Sequence, residues 1–98
     1  MLRILIADDH AVVRSGLRAL LSEREGWQVV AEAADGKEAV AQALATAPDI
    51  AIVDYSLPLL NGVEVTRQIR QRSPCTEVIL FTMYDNDTPI IPVSANDQ

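Results

Sequence analysis

Three aspartates carry the chemistry this 98-residue chain has to offer, and each stands at the end of an apolar run. Ile50-Ala51-Ile52-Val53 follows the break at Pro48-Asp49 and reads as a strand buried on both faces, as in a parallel sheet. It ends in Asp54, at the edge where open α/β sheets place their ligands, and turn formers follow at Ser56, Pro58, Asn61 and Gly62. Leu2-Arg3-Ile4-Leu5-Ile6-Ala7 is a second such strand, and it ends in Asp8-Asp9. If the two strands are parallel neighbours, three carboxylates meet at one edge of the sheet. Like charges raise one another's pKa and desolvation adds to the effect, so the cluster costs roughly several kcal/mol unless it is neutralised. A hard divalent cation is the simplest remedy, and Mg2+ characteristically takes one or two carboxylates while keeping several waters. Taken alone, Asp54 would equally serve as an Asx turn or a helix N-cap. The second acidic site is what favours chemistry.

The elements between these carboxylates alternate. From His10 to Arg24, Val13, Leu17, Leu20 and Leu21 fall at the spacing of one helical face, with Asp9 or its neighbour as cap and Gly26 as the stop. Gln28 to Ala34 reads as a strand, flanked by Trp27 as a core or rim anchor. Asp35-Gly36 opens a helix from Lys37 to Ala47, with Ala39, Val40, Ala43 and Leu44 on its apolar face and Pro48 at its end. After the strand ending at Asp54, a helix from about Gly62 to Arg72 is buried through Val65 and Ile69, and Ser73-Pro74 stops it. Glu77 to Thr82 is the fourth strand. This β-α-β-α-β-α-β alternation implies an α/β fold, a flavodoxin-like parallel sheet of order 2-1-3-4 with right-handed crossovers and helices on both faces. Its switch point lies between the first and third strands, so both acidic sites meet in that crevice.

Bulk properties bound the reading. The length suits one small domain, and 49% hydrophobic with 22% charged residues is the balance of a globular chain rather than a disordered one. A formal charge of -6 argues against nucleic-acid contact by this chain. Cys75 is the sole cysteine, which fits a reducing cytoplasm, and it reads as a small core or loop residue. No apolar run approaches the roughly 18 residues of a membrane span, and the first strand is too short for a signal-peptide core, so the expected location is cytoplasmic.

Residues Leu2 through Thr82 resemble the receiver domain of two-component response regulators. Ile4-Leu5-Ile6-Ala7-Asp8-Asp9-His10, with Val13-Arg14 and Gly16-Leu17, is especially similar to the NarL/FixJ-type subfamily, whose members usually carry a C-terminal helix-turn-helix. Glu32-Ala33-Ala34-Asp35-Gly36, Asp49 to Pro58 and Asn61-Gly62-Val63-Glu64 support the match. The resemblance implies that Asp54 accepts a phosphoryl group from a phosphohistidine on a sensor histidine kinase. It implies that Asp9, Asp54 and the backbone carbonyl of Ser56 ligate Mg2+, with Asp8 assisting through water. Thr82 matches the hydroxyl residue that bonds the phosphoryl oxygen and switches a nearby surface. Such a domain is a phosphoacceptor rather than an enzyme, with at most slow Mg2+-dependent self-phosphorylation and dephosphorylation. His10 reads as a loop or helix-entry residue and Lys37 as a solvated helix residue.

The C-terminal stretch, 83–98, departs from that pattern. The family's fourth helix, fifth strand with its lysine and fifth helix are not recognisable, and Lys37 is the only lysine. Thr88 to Asn96 instead resembles the fourth strand of a different receiver, as a graft, a recombined gene or an engineered chain would give. Met83 to Pro89 is shorter than the dozen or so residues that a parallel crossover needs, so pairing beside the fourth strand would be antiparallel, with Pro92 confined to an edge. The open flank of the sheet leads us to expect a homodimer or an exchanged strand or segment, the alternative being an extended terminus.

Two function classes compete: a phosphoacceptor signalling domain, and a noncatalytic or rearranged receiver-fold interaction module. A haloacid-dehalogenase-type phosphatase would want a second Asp where Ser56 stands. Flavin or dinucleotide binding would want a Gly-rich or hydroxyl-rich loop where Asp8-Asp9-His10 stands.

Overall fold

The computed structural model describes residues 1–82 and 91–94 of the chain. In order these form β1 (Leu2–Ala7), α1 (Ala11–Ser22), β2 (Trp27–Ala33), α2 (Gly36–Thr46), β3 (Ile50–Asp54), α3 (Gly62–Arg72), β4 (Glu77–Thr82) and β5 (Ile91–Ser94). The sheet runs β2-β1-β3-β4-β5. Its first four strands are parallel and in the expected order, while β5 lies antiparallel beside β4, with Thr82 opposite Ile91 and Phe81 opposite Pro92. Proline, which has no amide proton to give a ladder, thus sits on an edge strand. The remainder of the expected atypical tail, 83–90 and 95–98, lies outside the described residues.

Right-handed crossovers in this order send α1 to one face of the sheet and α2 and α3 to the other. On the second face Leu5, Ala7, Ala51, Val53 and Val78 pack with Ala39, Val40 and Ala43 of α2 and Val65 and Ile69 of α3. The alanines among them let helix and sheet approach closely, and this layer forms the core. Ile4 and Ile6 alternate with Leu5 and Ala7 and are themselves buried, on the face that α1 crosses. Cover there is thinner. Val13, Leu17 and Leu21 are half-buried, Leu20 is 65% exposed, and no residue of α1 is fully buried. The helical stripe read from the sequence exists, but only part of it is shielded.

Several local expectations need correction. Gly26 does not end α1, which stops at Ser22 with Glu23 as C-cap. With φ of 85° it makes the turn into β2, and its carbonyl accepts the amide of Leu2. Nor does Asp9 cap α1. The N-cap is its neighbour His10, whose side chain makes no capping bond and instead turns ring Nδ1 toward Asp8 and Asp9. α2 does begin as a capped helix, with Asp35 accepting from the Glu38 amide and the Glu38 carboxylate reaching back to Ala34 N–H. α3 opens on Asn61, whose side chain accepts from the Glu64 amide, while the Glu64 carboxylate turns forward to Arg67 and Gln68. Trp27 is a rim residue, with the Arg24 guanidinium 5.3 Å above its ring. Cys75 is exposed in the α3–β4 loop.

Two glycines hold the segment that follows β3. The Gly36 amide donates to Pro58 O at 2.9 Å, and the Gly62 amide donates to Tyr55 O at 2.9 Å. A Cβ on Gly36 would overlap the Leu60 carbonyl, and one on Gly62 would stand 2.6 Å from the Asp54 carbonyl oxygen and 2.7 Å from Tyr55 Cα. Backbone can yield little there, so Gly62→Ala is expected to cost about 2 kcal/mol, read as a lowered urea midpoint. Gly16→Ala, on a helical site with nothing within 4 Å, should instead stabilise by about 0.5–1 kcal/mol. Equal effects of the two substitutions would contradict the clamp.

Candidate functional site

β1 and β3 are adjacent and parallel with Ala7 opposite Val53, so the next residue on each strand, Asp8 and Asp54, leaves the same edge of the sheet. Asp9 follows. Side-chain ligand atoms of Asp8, Asp9, His10 and Asp54 all lie within 4.8 Å of one another. The three expected carboxylates are therefore together, and His10 joins them, a residue the sequence assigned only to the entry of α1. Its position directly after the acid pair was the available signal. The direction of its ring depends on backbone geometry that spacing does not reveal.

Asp8 is fully buried and its placement is over-determined. Its amide donates to Ala33 O at 3.0 Å, and its carbonyl accepts Arg14 Nη1 at 2.6 Å. Arg14 and Arg18 both converge on Glu32 of β2, at 3.5 and 3.3 Å. One carboxylate oxygen, Oδ1, receives the His10 amide at 2.8 Å and lies 2.8 Å from His10 Nδ1, which is also 3.2 Å from Asp9 Oδ1. The other oxygen, Oδ2, is buried without a hydrogen-bond partner among the described residues. Leaving such an atom unpaired costs about 1–3 kcal/mol, more when it is charged.

Asp54 is 4% exposed and its Oδ1 accepts the Ser56 amide at 3.2 Å. Burial pushes its pKa above the ordinary 3.8, the Ser56 amide opposes this, the charges of Asp8 and Asp9 push it further up, and His10 offsets part of the rise. His10 in turn is held above its ordinary 6.5, first by its hydrogen bond to Asp8 and then by the charges of Asp9 and Asp8. Beyond Asp54 the chain is anchored by Leu57, which is buried in the core, while Ser56 stays exposed. Thr82 stands at the same edge on the neighbouring strand, one residue past Phe81, which pairs with Asp54. It is half-buried. Lys37 lies elsewhere, lining a groove between α2 and α3 with Leu60, Gln68 and Arg72.

A parallel sheet whose switch-point edge carries a buried aspartate beside an acid pair defines a class of α/β signalling fold, and comparison with known proteins makes the assignment specific. The family model of the response regulator receiver domain matches residues 4–97, and the chain belongs to that family. It is 41% identical over 96 residues to the oxygen regulatory protein NreC of Staphylococcus haemolyticus, covering 97% of this chain and 44% of that protein. It is 36% identical over 93 residues to the transcriptional regulatory protein LiaR of Bacillus subtilis, covering 95% and 44%. The chain thus spans less than half the length of these curated relatives. Among solved structures, the receiver domain of the response regulator NarL from Mycobacterium tuberculosis superposes with a TM-score of 0.81 at 34% identity, over 88% of this chain and 69% of that one. The response regulator domain of Thermotoga maritima CheB also gives 0.81, at 32% identity over 89% and 64%. The subfamily expected from the stretch Ile4 to Leu17 is borne out by the likeness to the NarL receiver.

Two outcomes follow for the metal-free protein. A proton held more tightly by folded than by unfolded Asp54 lends stability below the unfolded value, and that contribution is lost as pH rises through the raised one. Asp54→Asn should therefore raise Tm at pH 7 by about 4 °C in EDTA, the gap closing near pH 3.8 and below. A lowered Tm at pH 7 would count against the frustration described. In the His10 ring NMR titration the midpoint should lie above 6.5 and move back toward it in Asp8→Asn. An unshifted midpoint in the parent would contradict the contact.

Proposed function

We propose that this receiver domain accepts a phosphoryl group on Asp54 from the phosphohistidine of a sensor histidine kinase. The observation that carries the reading is a nearly buried carboxylate at the open edge of the sheet, within 4.8 Å of a second acidic pair. Asp54 Oδ1 is engaged by the Ser56 amide, which leaves Oδ2 as the oxygen to attack phosphorus. The O–P bond forms as the N–P bond breaks, and the electron pair stays on the departing imidazole, which takes up a proton. Phosphoryl transfer asks little covalent work beyond a placed nucleophile and neutralisation of the equatorial oxygens.

The donors present suit Mg2+: hard oxygens, and a buried Asp8 Oδ2 still lacking a partner. Asp9, Asp54 and the Ser56 carbonyl would hold the ion, with Asp8 acting through water, and the ion would supply charge neutralisation at the transferred group. In the same reading the Thr82 hydroxyl bonds a phosphoryl oxygen and so couples phosphorylation to the β4 edge. The chain acts as an acceptor rather than as a turnover enzyme.

A second reading, an interaction module that keeps the acidic cluster without regulated phosphorylation, is favoured by Lys37. The chain's only lysine faces the α2–α3 groove instead of Asp54. Self-association belongs to either reading, through the thinly covered face of α1 or through exchange of β5, which would remake its pairing with β4 between two copies.

Intact mass after incubation with acetyl phosphate and Mg2+ separates the readings. The parent should gain one phosphoryl group, Asp54→Asn should gain none, and Thr82→Ala should still gain it. A parent that stays unlabelled would favour the interaction module, and a labelled Asp54→Asn would move the acceptor elsewhere. Light scattering on the same sample should give twice the monomer mass, and a monomer would dismiss self-association.

A further inference from the structure

Most of the chain's basic side chains are engaged by the fold. Arg3 donates to Ala47 O, Arg14 and Arg18 meet Glu32, Arg24 covers Trp27, Arg67 pairs with Glu64, and Arg70 also has a partner. Lys37 and Arg72 are the two left over, without hydrogen bond, ion pair or ring contact among the described residues, and both line the groove between α2 and α3. We propose that this groove docks an amphipathic helix of a partner protein, one whose apolar stripe is bracketed by carboxylates. The proposal does not rest on the phosphoacceptor reading, since the groove shares no residue with the acidic edge.

The groove has a volume of about 440 Å³ and an apolar floor of Val40, Ala41, Leu44 and Leu60. Leu44 is 37% exposed and Leu60 only half-buried, so part of that floor stays in water. α2 and α3 each return between parallel strands and therefore run side by side in one direction. Lys37 lies in the first turn of α2 and Arg72 in the last turn of α3, at opposite ends of the groove and on the order of 15 Å apart along the helix axes. No carboxylate lines the groove among the described residues. Glu38 and Glu64, the only acids within the two helices, are committed to the Ala34 amide and to Arg67 and Gln68. A positive groove thus stands on a chain of formal charge -6. The α2 dipole opposes a cation at the position of Lys37, so helix stability does not account for it.

The separation of the two cations selects the occupant. A compact anion such as phosphate could meet only one of them. The groove is open along its length, whereas a small ligand is normally enclosed over roughly 70–90% of its surface. A helix laid along the groove would set aliphatic anchors, recurring every three or four residues, on the floor and a carboxylate against each end. A second copy fits less well, because α1, the helix with exposed Val12 and Leu20, carries Arg14 and Arg18 and no acid.

The probe is a helical peptide of alanine and glutamine with a stripe of leucines and one glutamate a turn beyond each end of it. It is titrated into the isotope-labelled full chain and followed by NMR. Amide shifts should concentrate between Lys37 and Leu44 and between Gln68 and Arg72. The double variant Lys37→Glu with Arg72→Glu should bind about tenfold or more weakly, because like charges would then meet at both ends. A peptide with lysines in place of the two glutamates should bind that variant and not the parent, a reversal that a merely structural role would not produce. Both positions are exposed, and an acid at Lys37 suits the start of α2, so the variant should fold. A parent that does not bind, shifts on another face, or equal affinity in parent and variant would overturn the proposal. So would self-association that the variant loses while the peptide fails to bind, which would give the groove to a second copy, or binding of decanoate but not of the peptide, which would make it a small-amphiphile site.

Discussion

The repulsion among Asp8, Asp9 and Asp54 is the interaction on which the rest of the molecule depends. Parallel neighbours β1 and β3 end in register, so the fold cannot place one carboxylate at this edge without placing the other beside it. Burial of Asp8 and Asp54 then removes the water that would have screened them, while Asp9 stays exposed. The consequences are visible in an Asp54 proton held above the ordinary carboxylate range, a His10 ring drawn onto two carboxylates and an Asp8 oxygen left unpaired. Neutralisation by a cation would relieve all three together.

The surrounding structure is arranged to sustain that tension. Ala33, Arg14 and the His10 amide fix Asp8 from three directions, and Arg14 is itself held by Glu32. The chain after Asp54 is clamped where Gly36 and Gly62 meet Pro58 and Tyr55, and Leu57 is sunk into the core between them. Leu59, at φ of 72°, occupies a left-handed conformation that costs a non-glycine residue roughly 1–2 kcal/mol. It lies within the clamped segment, where strain is tolerated because the neighbouring contacts determine the path. With α2 and α3 packed over this face, the site rests on the best-filled layer of the protein.

Much of this was legible in the residues themselves. Apolar runs bounded by turn formers located β1, β3 and β4, and Asn61 with Ser73-Pro74 bracketed α3. Carboxylates at two strand ends, combined with the strand order, brought Asp8, Asp9 and Asp54 together. The antiparallel course of β5 followed from the shortness of the preceding link and from Pro92. What escaped depends on side-chain direction or on contacts distant in sequence. The ring of His10 could turn either way until the Asp8 carboxylate captured its amide. The approach of Gly36 to Leu60 joins segments more than twenty positions apart, and no local pattern announces it. Helical periodicity gave α1 its apolar stripe but not its degree of cover, which is set by whatever packs across it.

The most direct test of the central claim is the thermal stability of the parent protein and of Asp9→Asn as Mg2+ is raised at pH 7 and constant ionic strength. If the cluster is a strained anion site that a cation relieves, Tm of the parent should climb with the logarithm of Mg2+ concentration once the site begins to fill, and the climb should be blunted in Asp9→Asn. A parent Tm indifferent to Mg2+ would mean that the carboxylates are accommodated by the fold alone, and an equal rise in both proteins would mean that the ion binds without Asp9.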